Sequence, residues 1–309
     1  MIVALAGGIG AARFLDGLVR VMASEELVVI GNTGDDVEMH GLHISPDLDT
    51  VIYTLSGLAN PVHGWGVRGD TFHCLESLKG LGAETWFQLG DRDLATHLYR
   101  TERLRAGRPL SAVTAEIARA LGVRAAIKPM SDQPVRTMVR TPRGLLEFQA
   151  YFVRRRARDK VLSVSFQGAE RARPAPGVLQ AIRKASAIVF CPSNPIISIG
   201  PILAVPGIRE ALERRRAKAI AISPIVGGRA LKGPTADMMR SMGMRVSAVG
   251  VAELYRGLVD VLAIDREDRQ LAPAVEKLGM RAVVTNTIMS GIRQKKALAH
   301  AVLKAVRQA

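Results

Sequence analysis

The chain has 309 residues, 48% of them hydrophobic, with 43 Lys and Arg against 28 Asp and Glu for a formal charge of +15. That length supplies a core for one large domain or a domain with an embedded subdomain, and no run approaches the ~18 uninterrupted apolar residues of a membrane span. Aromatic residues are only 4% of the chain, too few to interleave with the basic runs Arg154–Arg158 and Arg214–Lys218 as a stacking nucleic-acid surface requires.

Neither nucleic acid nor a membrane is therefore an expected partner. The charge suits solvated faces and attraction for a phosphorylated small molecule. The two cysteines, Cys74 and Cys191, lack metal-type spacing and read as reduced, buried thiols of a cytoplasmic protein.

In chain order, "IVAL" reads as a first strand, followed by the Gly-rich turn "AGGIG" and the helix "ARFLDGLVRVM". The strand "LVVI" follows. "SPDLDTVIYTLSG" reads as a helix, with Ser45 as N-cap, Pro46 in the first turn and Gly57 at the end. "WFQL" reads as a strand, leading through "GDRD" into a helix that runs to about Arg105 with Asp91 as its N-cap.

The middle of the chain breaks this rhythm. "PVRTMVRTPRGLLEFQAYFV" reads as two strands around a "TPRG" turn, and "KVLSVSF" as a third. Beyond it come the apolar runs "AIVF", "AIAI", "RVSAVGV", "DVLAI" and "RAVVT", separated mostly by helical patterns, and a last helix "RQKKALAHAVLKAVRQ". Continuous apolar strands alternating with helices predict an α/β fold, a Rossmann-like doubly wound and mostly parallel sheet. The expected division is a nucleotide-binding core of residues 1–127 and 176–309 around an inserted smaller α+β cap of residues 128–175.

The chemistry-bearing residues cluster where strands give way to turns. Gly7, Gly8 and Gly10 lie between a strand and a helix, the arrangement that aims backbone N–H groups and a helix N-terminus at phosphate. Arg13 occupies the third position of a dinucleotide fingerprint, and no G-K-[ST] follows, so neither NAD-type nor Walker-type spacing is met. Asn32, Asp35 and Asp36 follow the second strand, where ligands of open α/β sheets bind.

Asp47 and Asp49 fall about 200° apart around their helix, so they are poorly placed to chelate one ion together. Asp49 shares its side with Tyr53 and is the expected functional carboxylate, whereas Asp47 serves the helix dipole. On that reading Asp49→Asn abolishes turnover and leaves the fold intact. Asp91, Arg92, Asp93, Thr96 and His97 form a polar cluster, with His97 either a general base or a hydrogen-bonded helix residue. The Ser193 hydroxyl and Asn194 amide in "CPSNP" suit a base, ribose or phosphate.

With these motifs assembled, the chain resembles the 2-phospho-L-lactate transferase family of coenzyme F-420 biosynthesis, including its phosphoenolpyruvate branch. The resemblance rests on "GGIGAARFLDGL", "GNTGDD", "SPDLDTVIYTLSG", "WFQLGDRDLATHLYR", "PMSD", "FQAYFV" and "CPSNPIISIGPIL", in that order. It implies a Rossmann-like homodimer that moves a phosphorylated three-carbon acid from a guanosine diphospho-linked donor to the terminal ribityl hydroxyl of the deazaflavin Fo, releasing GMP with Mg²⁺ as cofactor. The acid is phospholactyl, phosphoenolpyruvyl or 3-phosphoglyceryl.

By resemblance Asp49 and Gln88 sit at deazaflavin-binding positions, with Asp91 and His97 beside them. Asp35 and Asp49 are the implied Mg²⁺ ligands, and Arg92 neutralises developing phosphate charge. Gly7, Gly8, Gly10 and Arg13 take the diphosphate, while Ser193 and Asn194 hold the nucleoside.

Two other readings compete. A nucleotide-sugar-binding regulator of related fold would lack "PDLDT" together with "LGDRDLATH". An NAD-dependent oxidoreductase is disfavoured by the imperfect glycine pattern and by the missing acidic residue after "LVVI".

Overall fold

Alternation of side chains across strands explains the layering. In the first strand, Ile2–Ala6 (β1), the residues Ile2, Ala4 and Ala6 join one apolar core while Val3 and Leu5 join another. The second strand, Leu27–Gly31 (β2), divides in the same way, with Leu27 and Val29 on one face and Val28 and Ile30 on the other. A strand apolar on both faces can only sit inside a sheet covered on both sides.

The computed structural model, which describes residues 1–308, shows that sheet. It has seven strands in the order Arg281–Thr285, Val261–Asp265, Lys218–Ile222, Ala187–Phe190, β1, β2 and Ala126–Pro129. Every neighbouring pair is parallel. β1 is flanked by β2, the next strand in the chain, and by Ala187–Phe190, which comes far later. Strand order reverses between those two neighbours, and the crevice beyond the carboxyl ends there is where such sheets bind ligands.

The helices Gly8–Leu18 (α1) and Pro46–Leu55 (α2) pack against each other on one face, and the last helix, Ile292–Arg307, lies against α1. Lys128 and Pro129 still pair with β2. The chain then makes a small antiparallel sheet in which Arg136–Thr141 lies between Gly144–Glu147 and Ser163–Gln167. "FQAYFV" leaves the hairpin as a single wide helical turn over Ala150–Arg154 rather than as strand.

Two other expected strands are absent. Trp86–Leu89 is irregular, its aromatic rings packing beside the hairpin Val37–Met39 and Leu42–Ile44 without any ladder partner. Much of "RVSAVGV" is the helix Ala248–Leu254, because Ser247 caps it by accepting a hydrogen bond from Gly250 N at 3.3 Å. Cys191 is buried as expected, but Cys74 is exposed, since only Leu75 of its helix, His73–Gly80 (α3), reaches the interior. No helix among the described residues is long and apolar enough to cross a membrane.

Candidate active site

A cavity of about 460 Å³ opens beyond the carboxyl ends of β1, β2, Ala187–Phe190 and Lys218–Ile222. Gly7, Gly8, Gly10, Arg13, Ser193 and Asn194 all line it, so the expected nucleotide-binding residues do meet in one place. The glycine turn is sterically required here. A Cβ at Gly7 would lie 2.6 Å from Asp47 Oδ2 and 2.7 Å from Ser198 Cβ, and one at Gly10 would collide with the Pro192 carbonyl. Gly8 adopts φ 71°, the left-handed region.

Ser193 Oγ accepts a hydrogen bond from Gly7 N at 3.3 Å, tying the two turns together. The Asn194 carboxamide oxygen accepts from Ile196 N and Ile197 N and is thus spent on its own turn.

The carboxylates divide into two sets. Asp47 faces the glycine turn. Its Oδ2 accepts from Asn32 Nδ2 at 2.8 Å, and its carboxyl also accepts from Gly8 N. Burial, with the charge of Asp36 adding to it, pushes Asp47 up to about 6 against the pull of those hydrogen bonds. Asp35 is buried beside it and is raised well above the usual carboxylate range, first by burial and then by Asp47. Asp35 Oδ1 has no hydrogen-bond partner, the kind of group that asks for a ligand. Asp36 is turned away, accepting from His43 Nε2 at 3.0 Å and Ser45 Oγ at 2.8 Å. The Ser45 hydroxyl is therefore not a helix cap.

Asp49 points elsewhere. It forms a two-pronged ion pair with the guanidinium of Arg100, which is 0% exposed on the helix Asp91–Arg105 (α4). Arg100 Nη1 also lies 3.3 Å from His97 Nδ1. Because guanidinium only donates, Nδ1 must accept and the ring proton sits on Nε2. Nε2 is 3.3 Å from Asp93 Oδ1 without a well-aligned hydrogen bond. Asp93 in turn accepts from the Tyr53 hydroxyl at 2.7 Å. Burial works to raise Asp93, yet His97 and the Tyr53 hydroxyl hold it below the usual range.

This geometry corrects three expectations. Asp47 is not helix punctuation but the carboxylate beside the glycine turn, because the side of α2 that carries it faces Asn32. Asp49 cannot be removed without cost to the fold, because its partner is a buried cation. Asp49 is paired with Arg100, whereas Asp35 lies beside Asp47, and no group of three or more His, Cys, Asp or Glu among the described residues has metal-holding geometry.

Two further site residues fall outside the cavity lining. Arg92 is exposed and donates to the Arg68 carbonyl, pointed there by the first turn of α4. Asp91 accepts from Thr71 Oγ1 at 2.6 Å, His73 N at 3.0 Å and Cys74 N at 3.0 Å, capping α3 from across the chain. Asp70 returns the exchange by accepting from Arg92 N at 2.7 Å and Asp93 N at 3.0 Å at the start of α4. These two acids hold the helix starts together and are not among the residues that line the cavity.

Gln88 and His97 do line the cavity. Its outer wall is aromatic, formed by Trp65, Phe87 and the stacked pair Phe148 and Phe152, whose rings lie 5.4 Å apart at 9°. Sequence reasoning placed Asn32 at the sheet's carboxyl edge but missed its partner Asp47, and it missed Arg100 and this wall altogether. The spacing of Asp93, His97 and Arg100 at i, i+4 and i+7 was a usable signal, since one helix face carrying only such groups must bury them against a partner.

Comparison with known proteins agrees with the expected family. The model of the family described as 2-phospho-L-lactate transferase CofD matches residues 2–301. The 2-phospho-L-lactate transferase of Methanosarcina mazei is 41% identical over 97% of this chain and 98% of its own length. The phosphoenolpyruvate transferase of Streptomyces griseus is 43% identical over 98% of this chain and 97% of its own, and that of Streptomyces coelicolor is 46% identical over 90% and 89%. Among solved structures, an upf0052-family protein of Bacillus halodurans is 19% identical with a TM-score of 0.64 over 98% of both chains, a likeness of fold alone.

Proposed function

The chain belongs to the 2-phospho-L-lactate transferase family, and from that premise we propose that it transfers a phosphorylated three-carbon acid from a guanosine diphospho-linked donor to the deazaflavin Fo in coenzyme F-420 biosynthesis. The terminal ribityl oxygen of Fo bonds to the phosphorus that carries the acid. The bond from that phosphorus to the GMP oxygen breaks, GMP leaves, and the hydroxyl proton is released. The observation that carries this reading is the buried Asp35–Asp47 pair beside the Gly7–Gly10 turn. Two carboxylates raised chiefly by burial, Asp35 further by the charge of Asp47 and Asp47 by that of Asp36, sit at a phosphate-binding turn, and Asp35 has an orphaned oxygen.

That donor set fits Mg²⁺, which takes one or two carboxylates and completes its shell with water and substrate phosphates. Asp35 and Asp47 would hold the ion, and it would supply neutralisation of charge on the transferring phosphoryl group. The glycine turn and the N-terminus of α1 receive the diphosphate. Asp49, oriented by Arg100, and Gln88 accept and donate hydrogen bonds to Fo, whose flat ring system suits the wall of Phe148, Phe152 and Trp65. Phosphoryl transfer asks for positioning and charge neutralisation more than for covalent chemistry, and these residues provide both.

The test is direct. Purified protein incubated with Fo, Mg²⁺ and each of the phospholactyl, phosphoenolpyruvyl and 3-phosphoglyceryl donors should release GMP with at least one. No GMP release with any donor overturns the reading.

A further inference from the structure

One cation of the cavity lining, Lys232, has no role so far, and it shares that cavity with Arg13, the side chain expected at the diphosphate. Arg13 projects from the second turn of α1, and Lys232 comes from the segment between the hairpin Ile225–Ala230 and the helix Thr235–Ser241. Both line the cavity from different walls. Four carboxylates, those of Asp35, Asp47, Asp49 and Asp93, line the same cavity, yet among the described residues neither cation is ion-paired with any of them. Among the described residues, the only hydrogen bond of the Lys232 ammonium is to the His63 carbonyl at 3.4 Å.

Three segments therefore meet at this mouth. The start of α1 supplies Ile9 and Arg13. The loop after α2 packs Gly64 so closely on Ile9 that a Cβ there would lie 2.8 Å from its Cγ2. The Lys232 segment is tied to that loop through His63. Folding has placed two like charges on one cavity with neither paired to a carboxylate among the described residues, an arrangement to which a ligand would supply the negative charge. Partial burial and the Arg13 charge accordingly pull Lys232 below the usual lysine range.

We propose that Lys232 and Arg13 form a two-cation clamp for the diphosphate of the donor, with Lys232 closing over it from the segment opposite α1. This deepens the transferase reading and rests on it for the identity of the ligand. The acidic pair and the clamp then lie on two sides of one diphosphate. The backbone of the glycine turn binds any phosphate, whereas the clamp adds dependence on charge and couples binding to the ordering of two mouth segments.

The experiment is a calorimetric titration with GDP at low and moderate salt, on wild type, Lys232→Met and Lys232→Arg, with GMP release assayed in parallel. Lys232 is exposed, so the variants should melt like wild type. Lys232→Met should weaken GDP about tenfold, the loss of one charge-assisted hydrogen bond, and flatten the salt dependence. Lys232→Arg should stay within about threefold, since the charge and a donor remain. The KM for Fo should not move.

GDP affinity within twofold of wild type in Lys232→Met, or no measurable GDP binding by wild type, overturns the clamp. The two readings separate cleanly. Unchanged GDP affinity in Lys232→Met alongside normal wild-type turnover removes the clamp alone. The expected loss of GDP affinity without turnover by wild type removes the reaction alone.

Discussion

Asp47 and Asp49 stand two residues apart on one helix and live in opposite electrostatic worlds. Asp49 meets a buried guanidinium, so its charge is matched inside the protein. Asp47 meets an amide, a backbone N–H and another carboxylate, so its charge is left over. A helix turning about 100° per residue makes this divergence possible, and it separates an acid whose charge the fold matches from one whose charge is left over. An acid neutralised by its own fold holds the scaffold and can offer a ligand hydrogen bonds but no spare charge. An acid left in excess at a cavity is available to a ligand.

The largest expected effect of breaking this contrast is on the scaffold side. Asp49→Asn leaves Arg100 buried without its counter-charge, and unfolding in urea should show a loss of roughly 3–5 kcal/mol. A stability loss under about 1 kcal/mol would mean that Arg100 finds another partner. Asp47→Asn should act in the opposite sense. It relieves repulsion with Asp35 and keeps an acceptor for Asn32, so the melting temperature without divalent cation should rise while kcat/KM falls at least about a hundredfold. A fall in both would place Asp47 in the scaffold with Asp49.

Smaller changes sharpen the boundary between the two sets. Phe152→Ala removes a half-exposed ring, and should raise the KM for Fo several-fold with stability changed by no more than about 0.5 kcal/mol. The tautomer of His97 is open to ¹⁵N NMR, where a proton on Nε2 at pH 8 is expected and one on Nδ1 would remove the Arg100 contact. Asp91→Ala should do least to catalysis. Losing a cap costs about 1 kcal/mol of stability, and kinetic constants for both substrates should match wild type.

What the sequence made legible follows from the range of each interaction. The strands "IVAL", "LVVI", "AIVF" and "AIAI" announce themselves because a strand buried on both faces has no polar positions, whereas the edge strand "RAVVT" is only half-buried and is betrayed by its β-branched run. The glycine turn was legible because its steric demand is written in three glycines, Gly7, Gly8 and Gly10, close together after a strand. "WFQL" carries the same apolar signal but spends it in a loop, and "RVSAVGV" shows β-branched residues overruled by one Ser cap.

The partners of Asp47 and Asp49 were not legible in the same way. Asn32 lies fifteen residues before Asp47 and Arg100 lies 51 after Asp49, and nothing in local periodicity records either pairing. The 200° separation told correctly that the two acids part company. It could not tell which side held the cation.

The most direct test of that division is a Mg²⁺ titration, in the presence of GDP, followed by the shift in melting temperature of wild type and Asp47→Asn. Wild type should be stabilised by the ion in a saturable way, and Asp47→Asn should lose that response while remaining folded. An undiminished Mg²⁺ response in Asp47→Asn would contradict the assignment and return the ion to another carboxylate.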